Sequence, residues 1–411
     1  MNVLQRISAA VFGRKSYNVV DLAHAAGLMG VPAAAGVRVG RVQALQIAAV
    51  FGCLRVLGEG VAQVPFKVMR KTGRSIEPAT DHPAYDLLAN QPNDWMTSFE
   101  LRELLVWHAA LCGAAYCYLV RDTQGRLLEL LPLPPGSVQP KQAANYDLTY
   151  QVTGTSGEQR TFPASSIWAL RGPTWNGFEG LSVLQLAREA LGLSIAAERH
   201  HAHVHKNSAQ PSGLYSFEGT ISPEQHKTLR AWVEKEFSGL DNVGRPMILD
   251  RSAKFTPFTQ NGVDIQHLET RNHQVAEVCR FFRVNPIMIG YSDKAVTYAS
   301  AEQQFLSHLV HTLMPWYSRI EQSANAWLLT AADRRAGYYT KFTERGLLRG
   351  AMKDEAEYLS RLVERGVLTR NEARELMDRN PIDGLDEPLT PINLTGSPTS
   401  GADNSTGAQN A

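Results

Sequence analysis

The 411-residue chain is short of several things, and each shortage excludes a class of protein. It has four cysteines, Cys53, Cys112, Cys117 and Cys279. None stands in a Cys-x-x-Cys pair or beside histidines at zinc-ligand spacing. Four in a chain of this length make no disulfide scaffold, so buried free thiols in a reducing compartment are expected. No run approaches the ~18 apolar residues that a membrane span needs. The N-terminus lacks a signal-peptide core with a small-residue cleavage site. The expectation is a soluble chain, cytoplasmic when made. An excess of one charge is missing too: 41 Lys and Arg face 40 Asp and Glu, a formal net charge of +1. A protein that grips nucleic acid by a broad basic face carries a clear positive excess, which argues against that class.

Signatures of catalysis are absent as well. There is no Gly-x4-Gly-Lys-Ser/Thr phosphate loop, no His-Glu-x-x-His, no Gly-x-Ser-x-Gly and no Gly-x-Gly-x-x-Gly. The expectation is therefore no catalytic residues, no cofactor and no metal. His200, His201, His203 and His205 cluster, and His201 and His205 would share a helix face. No acidic or cysteine ligand lies near them, and the general base of zinc-protease helices is missing. They read as polar residues at a helix end that face solvent or a neighbouring subunit and titrate near neutrality. Asp241, Asp250, Asp264 and Glu269 have no spacing that demands a paired-carboxylate site.

What is present is ordinary globular composition, 44% hydrophobic and 20% charged, at a length suited to two or three domains. Apolar residues three to four apart from Val42 to Val61 predict an amphipathic helix. Val64, Phe66 and Val68 alternate into a turn at Lys71–Arg74. Thr97–Glu100 has capping-box form before a helix carrying Leu101, Leu104, Leu105, His108 and Leu111. Strands are expected at 116–120, 127–131, 150–153, 159–162 and 167–170. Residues 42–175 thus read as an α+β domain.

From Ser182, another capping-box candidate, nothing breaks a helix until about Asn207, roughly 25 residues or ~38 Å. It is apolar on most sides, so it must be packed on several sides. Short strands are expected at 214–217, 247–249 and 254–258, with a capped helix opening at Ser222-Pro223-Glu224-Gln225. Long helices follow at 265–282 and 301–331, the second kinked by Pro315. Between them residues 285–300 read as a loop. A strand at 338–342 and helices at about 350–365 and 370–379 come next. Residues 1–40 read as a flexible arm, and 381–411, with four acidic residues and no basic ones, as a disordered tail.

Four stretches, in order, resemble the phage portal protein family of long-tailed phages. The first is Gly177-Phe178-Glu179-Gly180-Leu181-Ser182-Val183-Leu184, with the helix ending at His205-Lys206-Asn207 and Pro211-Ser212-Gly213 after it. Here Val183 stands where the family has Pro and Ser208 where it has Gly. The second runs from Leu268-Glu269-Thr270-Arg271 through Arg280-Phe281-Phe282-Arg283-Val284-Asn285-Pro286 to Ile289-Gly290. The third is Ala295-Val296-Thr297-Tyr298-Ala299-Ser300-Ala301-Glu302-Gln303, followed by Met314-Pro315-Trp316. The fourth is Gly366-Val367-Leu368-Thr369-Arg370-Asn371-Glu372.

The resemblance implies a portal fold of the α+β class: an arm at 1–41, a wing at 42–181, a first stem helix at 182–207 and a clip at 208–262. A second stem helix at 263–284, a tunnel loop at 285–300, a long kinked helix returning to the wing at 301–349, a crown at 350–380 and the tail at 381–411 complete it. It implies a homo-oligomeric ring, typically a dodecamer, at one capsid vertex, with double-stranded DNA passing through its channel without sequence specificity. Terminase large subunit, major capsid protein or scaffold, and a head–tail connector are the implied partners, and no membrane. The implied location is the virion, with assembly in the host cytoplasm. Ser292, Asp293, Lys294, Thr297 and Tyr298 of the tunnel loop are the residues expected nearest the DNA. The alternatives are an enzyme acting on DNA, such as a nuclease with a site formed only in the fold, or another head–tail structural protein.

Overall fold

The computed structural model describes residues 30–154, 157–207, 213–216, 222–228, 231, 254–257, 263–291, 298–343, 352–377 and 379–389. The arm expected to reach residue 41 is folded from Gly30 onward. β1 (Val31–Pro32) pairs antiparallel with β2 (Arg38–Val39), and Ala33, Val37 and Val39 are buried. Three apolar side chains around one turn are too weak a pattern to stand out in an Ala/Gly/Val-rich run.

The helix expected over 42–61 is two helices, α1 (Arg41–Gln46) and α2 (Ala48–Ala62). The chain is extended at Ile47, with φ −75° and ψ 115°, and both Ala44 and Ile47 reach the core. β3 (Phe66–Thr72) and β4 (Ser75–Pro78) form the expected hairpin. α3 (Pro83–Ala89) follows, then α4 (Ser98–Cys112), whose capping box between Thr97 and Glu100 is present. α4 packs along α2 and against β5 (Ala114–Arg121).

β5 pairs with β6 (Leu127–Leu133) on one side and β10 (Ile167–Arg171) on the other. Alternation along β5 divides the core: Ala115, Cys117 and Leu119 join the main cluster, while Ala114 and Tyr116 join a smaller one with Tyr150 and Val152. The second cluster is backed by β7 (Val138–Gln142), β8 (Leu148–Thr153) and β9 (Gln159–Pro163). β7 was not expected. It is an edge strand of sequence Val-Gln-Pro-Lys-Gln, and an edge is where a sheet tolerates proline.

The long helix expected from 182 to 207 breaks at Ala187 into α5 (Val183–Leu186) and α6 (Arg188–Asn207). Ser182 makes no cap. Its hydroxyl donates to the Leu111 carbonyl at 3.4 Å, a tertiary contact that replaces the local one. β11 (Gly213–Ser216) pairs with β12 (Lys254–Pro257), and Ser222 and Gln225 bond reciprocally at the start of a helix described over 223–228. The strand expected at 247–249 lies outside the described residues. α7 (Val263–Phe282) runs back to the N-terminal helices and packs on α2 and α6.

The later elements are α8 (Tyr298–His308), a π-helical turn at Leu309–Leu313, α9 (Met314–Trp327), α10 (Ala331–Arg335) and β13 (Tyr338–Phe342). β13 pairs with β3, so one sheet joins strands some 270 residues apart. α11 (Met352–Glu364) and α12 (Arg370–Leu376) follow, the second with its Thr369–Glu372 capping box in place.

The tail expected to be disordered from Pro381 is held in place through Leu389. The Asn371 amide donates to the Ile382 carbonyl at 2.9 Å and accepts from its N–H at 2.9 Å. Asp386 pairs with Arg74 at 3.0 Å, and Asn380 accepts from the Ile76 amide at 2.7 Å. Residues 379–389 therefore lie on the β3–β4 hairpin. Low hydrophobicity, which argued for disorder, is offset by polar pairing. Residues 390–411 lie outside the described residues.

Candidate functional site

The segment expected to matter, 285–300, is best approached through what holds its ends. Helix α2 is the mount. It contains Gly52, Gly58 and Gly60, each costing a helix about 0.5–1 kcal/mol relative to alanine. A Cβ at Gly52 would stand 3.2 Å from Ile289, and one at Gly60 2.9 Å from Leu313. The chain thus leaves α2 at Ile289 and returns to it at Leu313, two contacts eight residues apart, or ~12 Å along the axis. A helix of glycines reads as weak in sequence; here their missing side chains admit both ends of the excursion.

The outgoing end is stopped firmly. α7 closes with Arg283 at φ 56°. The Arg283 N–H donates to the Arg280 carbonyl at 3.1 Å, and the Val284 N–H to the Cys279 carbonyl at 3.0 Å. These are the two bonds of a Schellman motif, with arginine where glycine is usual. The Asn285 side chain then accepts from the Ile287 amide, and a 3-10 turn spans Pro286–Ile289 before Gly290 turns at φ +79°. This turn is a correction to the expected unbroken loop.

The returning end carries a second correction. The kink expected at Pro315 is spread over the π turn before it. Proline has no N–H and clashes with the carbonyl four residues back; the wider turn takes this up, and the Met314 N–H donates to the Leu309 carbonyl, five residues back. Thr312 Oγ1 donates to the Arg283 carbonyl at 2.8 Å, tying the two ends together. The fully buried Tyr317 donates from its hydroxyl to the Gly60 carbonyl at 2.8 Å.

Two buried groups near the mount, Cys53 and His308, have their charged forms disfavoured. The Cys53 and Cys279 sulfurs lie 3.8 Å apart as free thiols, and their hydrogen bond and burial push the Cys53 thiol up. Burial pulls His308 below the ordinary histidine range.

Of the residues expected nearest the DNA, Ser292, Asp293, Lys294 and Thr297 lie outside the described residues. The backbone of Tyr298 opens α8, so the helix starts three residues earlier than expected. The backbone of α6 runs through His200, His201, His203 and His205. Among the described residues no group of three or more His, Cys, Asp or Glu is placed to hold a metal ion, and no helix is long and apolar enough to cross a membrane. Sequence reasoning missed Gly52, Gly60, Arg283 and Thr312. Only the glycines left a signal, as three poor helix formers inside one apolar stripe.

Residues 48–378 match the family described as Phage portal protein. The chain belongs to the phage portal protein family. The match begins at the first residue of α2, the helix that mounts the 289–313 excursion. The portal protein of Enterobacteria phage HK97 is 28% identical over 345 residues, 83% of this chain and 81% of that protein. The probable portal protein of Streptomyces phage phiC31 is 29% identical over 379 residues, 89% and 82% of the two chains. Among solved structures, a chain in the neck of a native gene transfer agent particle, computed with C12 symmetry, superposes with a TM-score of 0.60 at 23% identity. That superposition covers 93% of this chain and 100% of the other. The expected α+β portal fold is borne out by this likeness.

Proposed function

We propose that this portal chain forms a closed ring, a dodecamer, at one vertex of a capsid, and that double-stranded DNA enters and leaves through its axial channel. The observation that carries this reading is the family match over residues 48–378; the nearly complete superposition on a neck chain of a C12-symmetric particle supports it. The location follows: the virion, after assembly in the host cytoplasm. The ring supplies a passage and a platform, not a reaction. DNA is driven by the terminase large subunit docked on the clip at 208–262, where a head–tail connector later takes its place. The wing at 42–181 faces the capsid protein or scaffold, the crown at 350–380 points inward, and the stem is built from 182–207 and 263–284.

The segment within 285–300 is the tunnel loop, with Ser292, Asp293, Lys294, Thr297 and Tyr298 nearest the DNA. Asp293 beside Lys294 leaves that stretch without net charge, which suits passing contact rather than grip. The two-ended mount on α2 is what such a loop requires, because a load on it is carried into the core at Ile289 and Leu313. The test is in vitro packaging with Lys294→Ala and Tyr298→Ala rings. Both variants are expected to assemble normally and to package or retain less DNA. Wild-type packaging by both would remove the loop from the mechanism.

A further inference from the structure

Two helix faces of the subunit are uncovered, and they are unlike each other. The first belongs to α8 and the turn after it, where Phe305, Leu306 and Val310 are 63%, 42% and 41% exposed. From Gln303 to Leu313 there is no Asp, Glu, Lys or Arg. A helix that faces water normally carries charge on its outer side. Beyond the π turn that continues it, α8 makes few contacts with the other described elements. The second face lies on α5 and α6, where Leu186 and Leu193 are 60% and 51% exposed with the half-buried Ala190 between them. The flanking charges there are already neutralised, Arg188 pairing with Glu189 at 2.9 Å.

We infer that these two faces meet across the subunit boundary, α8 of one copy lying on α5–α6 of the next. The occupant of each face is a second copy of this chain. The first face presents large side chains, and the second presents leucines spaced by alanine, which is the ridge-and-groove relation that helices need to pack. Neither face carries a charge that would repel its partner. Because the faces differ, the contact is head-to-tail, and a head-to-tail contact that closes makes a ring. This inference rests on the ring reading above and adds the surfaces that build it.

The test is a charge exchange, with Leu193→Glu and Phe305→Lys made singly and together in the full chain. Both positions are exposed, so each single variant is expected to keep the far-ultraviolet circular dichroism spectrum of the wild-type chain. Each single variant is expected to lose rings in negative-stain images and to sediment as the 45.3-kDa monomer. The double variant is expected to recover rings through the new Glu–Lys contact. Rings in both single variants, or single variants that fall apart without rescue by the double, would overturn the pairing while wild-type rings keep the portal reading. A wild-type chain that is monomeric under all conditions would instead remove the portal reading itself.

Discussion

His108 sits in α4 with its Nδ1 atom buried and without a hydrogen-bond partner. Burial, and secondarily the positive charge of Arg41, pull its pKa from the ordinary 6.5 down to about 4. A histidine depressed in the folded state contributes stability above pH 6.5 and loses it as pH falls toward 4, because the unfolded chain takes up the proton first. One pKa unit corresponds to ~1.4 kcal/mol. The loss attributable to this side chain is then about 2 kcal/mol at pH 5 and approaches about 3 kcal/mol near pH 4. Carboxylates also titrate in this range, so wild type must be compared with His108→Gln, which keeps a polar group in a good helix former but removes the titration. Urea unfolding of both proteins, in the same assembly state at pH 7.5 and pH 5.0, reads the difference. The gap between them is expected to move by about 2 kcal/mol in favour of the variant on acidification. A gap that stays constant between the two pH values would refute a buried, neutral His108.

Arg283→Gly is expected to stabilise the chain by roughly 1 kcal/mol, since a left-handed backbone costs a residue with a Cβ about that much, read as a raised thermal midpoint. Arg102→Met is expected to destabilise by roughly 1–3 kcal/mol. The buried guanidinium donates to the helix-end carbonyl of Ala62 at 2.7 Å, which its loss leaves unpaired, and to that of Leu88 at 3.2 Å, which keeps the Ser98 hydroxyl; a lowered urea midpoint would register the change. Tyr317→Phe is expected to cost about 1–2 kcal/mol in the same assay, because only the Gln63 amide at 3.4 Å would remain near the Gly60 carbonyl.

Legibility in the sequence followed the range of the interactions. The box at Thr97–Glu100 is closed within four residues and formed as read, and the one at Thr369–Glu372 is equally local. The Ser182 box has the same letters, yet its hydroxyl went to Leu111, 71 positions away, and no local pattern encodes that. The kink was placed near Pro315 because proline's missing N–H is a property of one residue. Its spread into a π turn accompanies a bond from Thr312 to the Arg283 carbonyl, 29 positions away, which no local pattern encodes. β7 and the 379–389 segment were hidden for a related reason. Their stability comes from partners, an edge pairing in one case and Asn371, Arg74 and Ile76 in the other, rather than from apolar periodicity. The candidate site divides likewise. The position of the excursion was legible from Pro286 and Gly290, but its mount on Gly52 and Gly60 required two helices and a turn to come together.

The mount also bears on the near-neutral charge. A firm phosphate contact contributes about 0.9 to the salt slope of DNA affinity, so one such contact in each of twelve subunits would give a slope of roughly ten and a channel that holds what it should pass. A chain of net charge +1 is compatible with a channel free of such contacts. Under the proposed function enclosure replaces affinity, and the loop is expected to resist DNA mechanically rather than bind it. Ile289 and Leu313 pack on one helix, α2, and that helix shares its core cluster with Leu191 and Ile195 of α6 and Val278 and Phe282 of α7. A push on the segment between them is therefore delivered to α6 and α7 at once. Under the inferred subunit pairing α6 also carries one side of the contact between neighbouring subunits. A substitution that loosens the mount, such as Gly52→Leu, should therefore weaken ring assembly as well as packaging, whereas Lys294→Ala should weaken packaging alone. Finding ring assembly unchanged in Gly52→Leu while packaging fell would separate the loop from the stem and break this chain of reasoning.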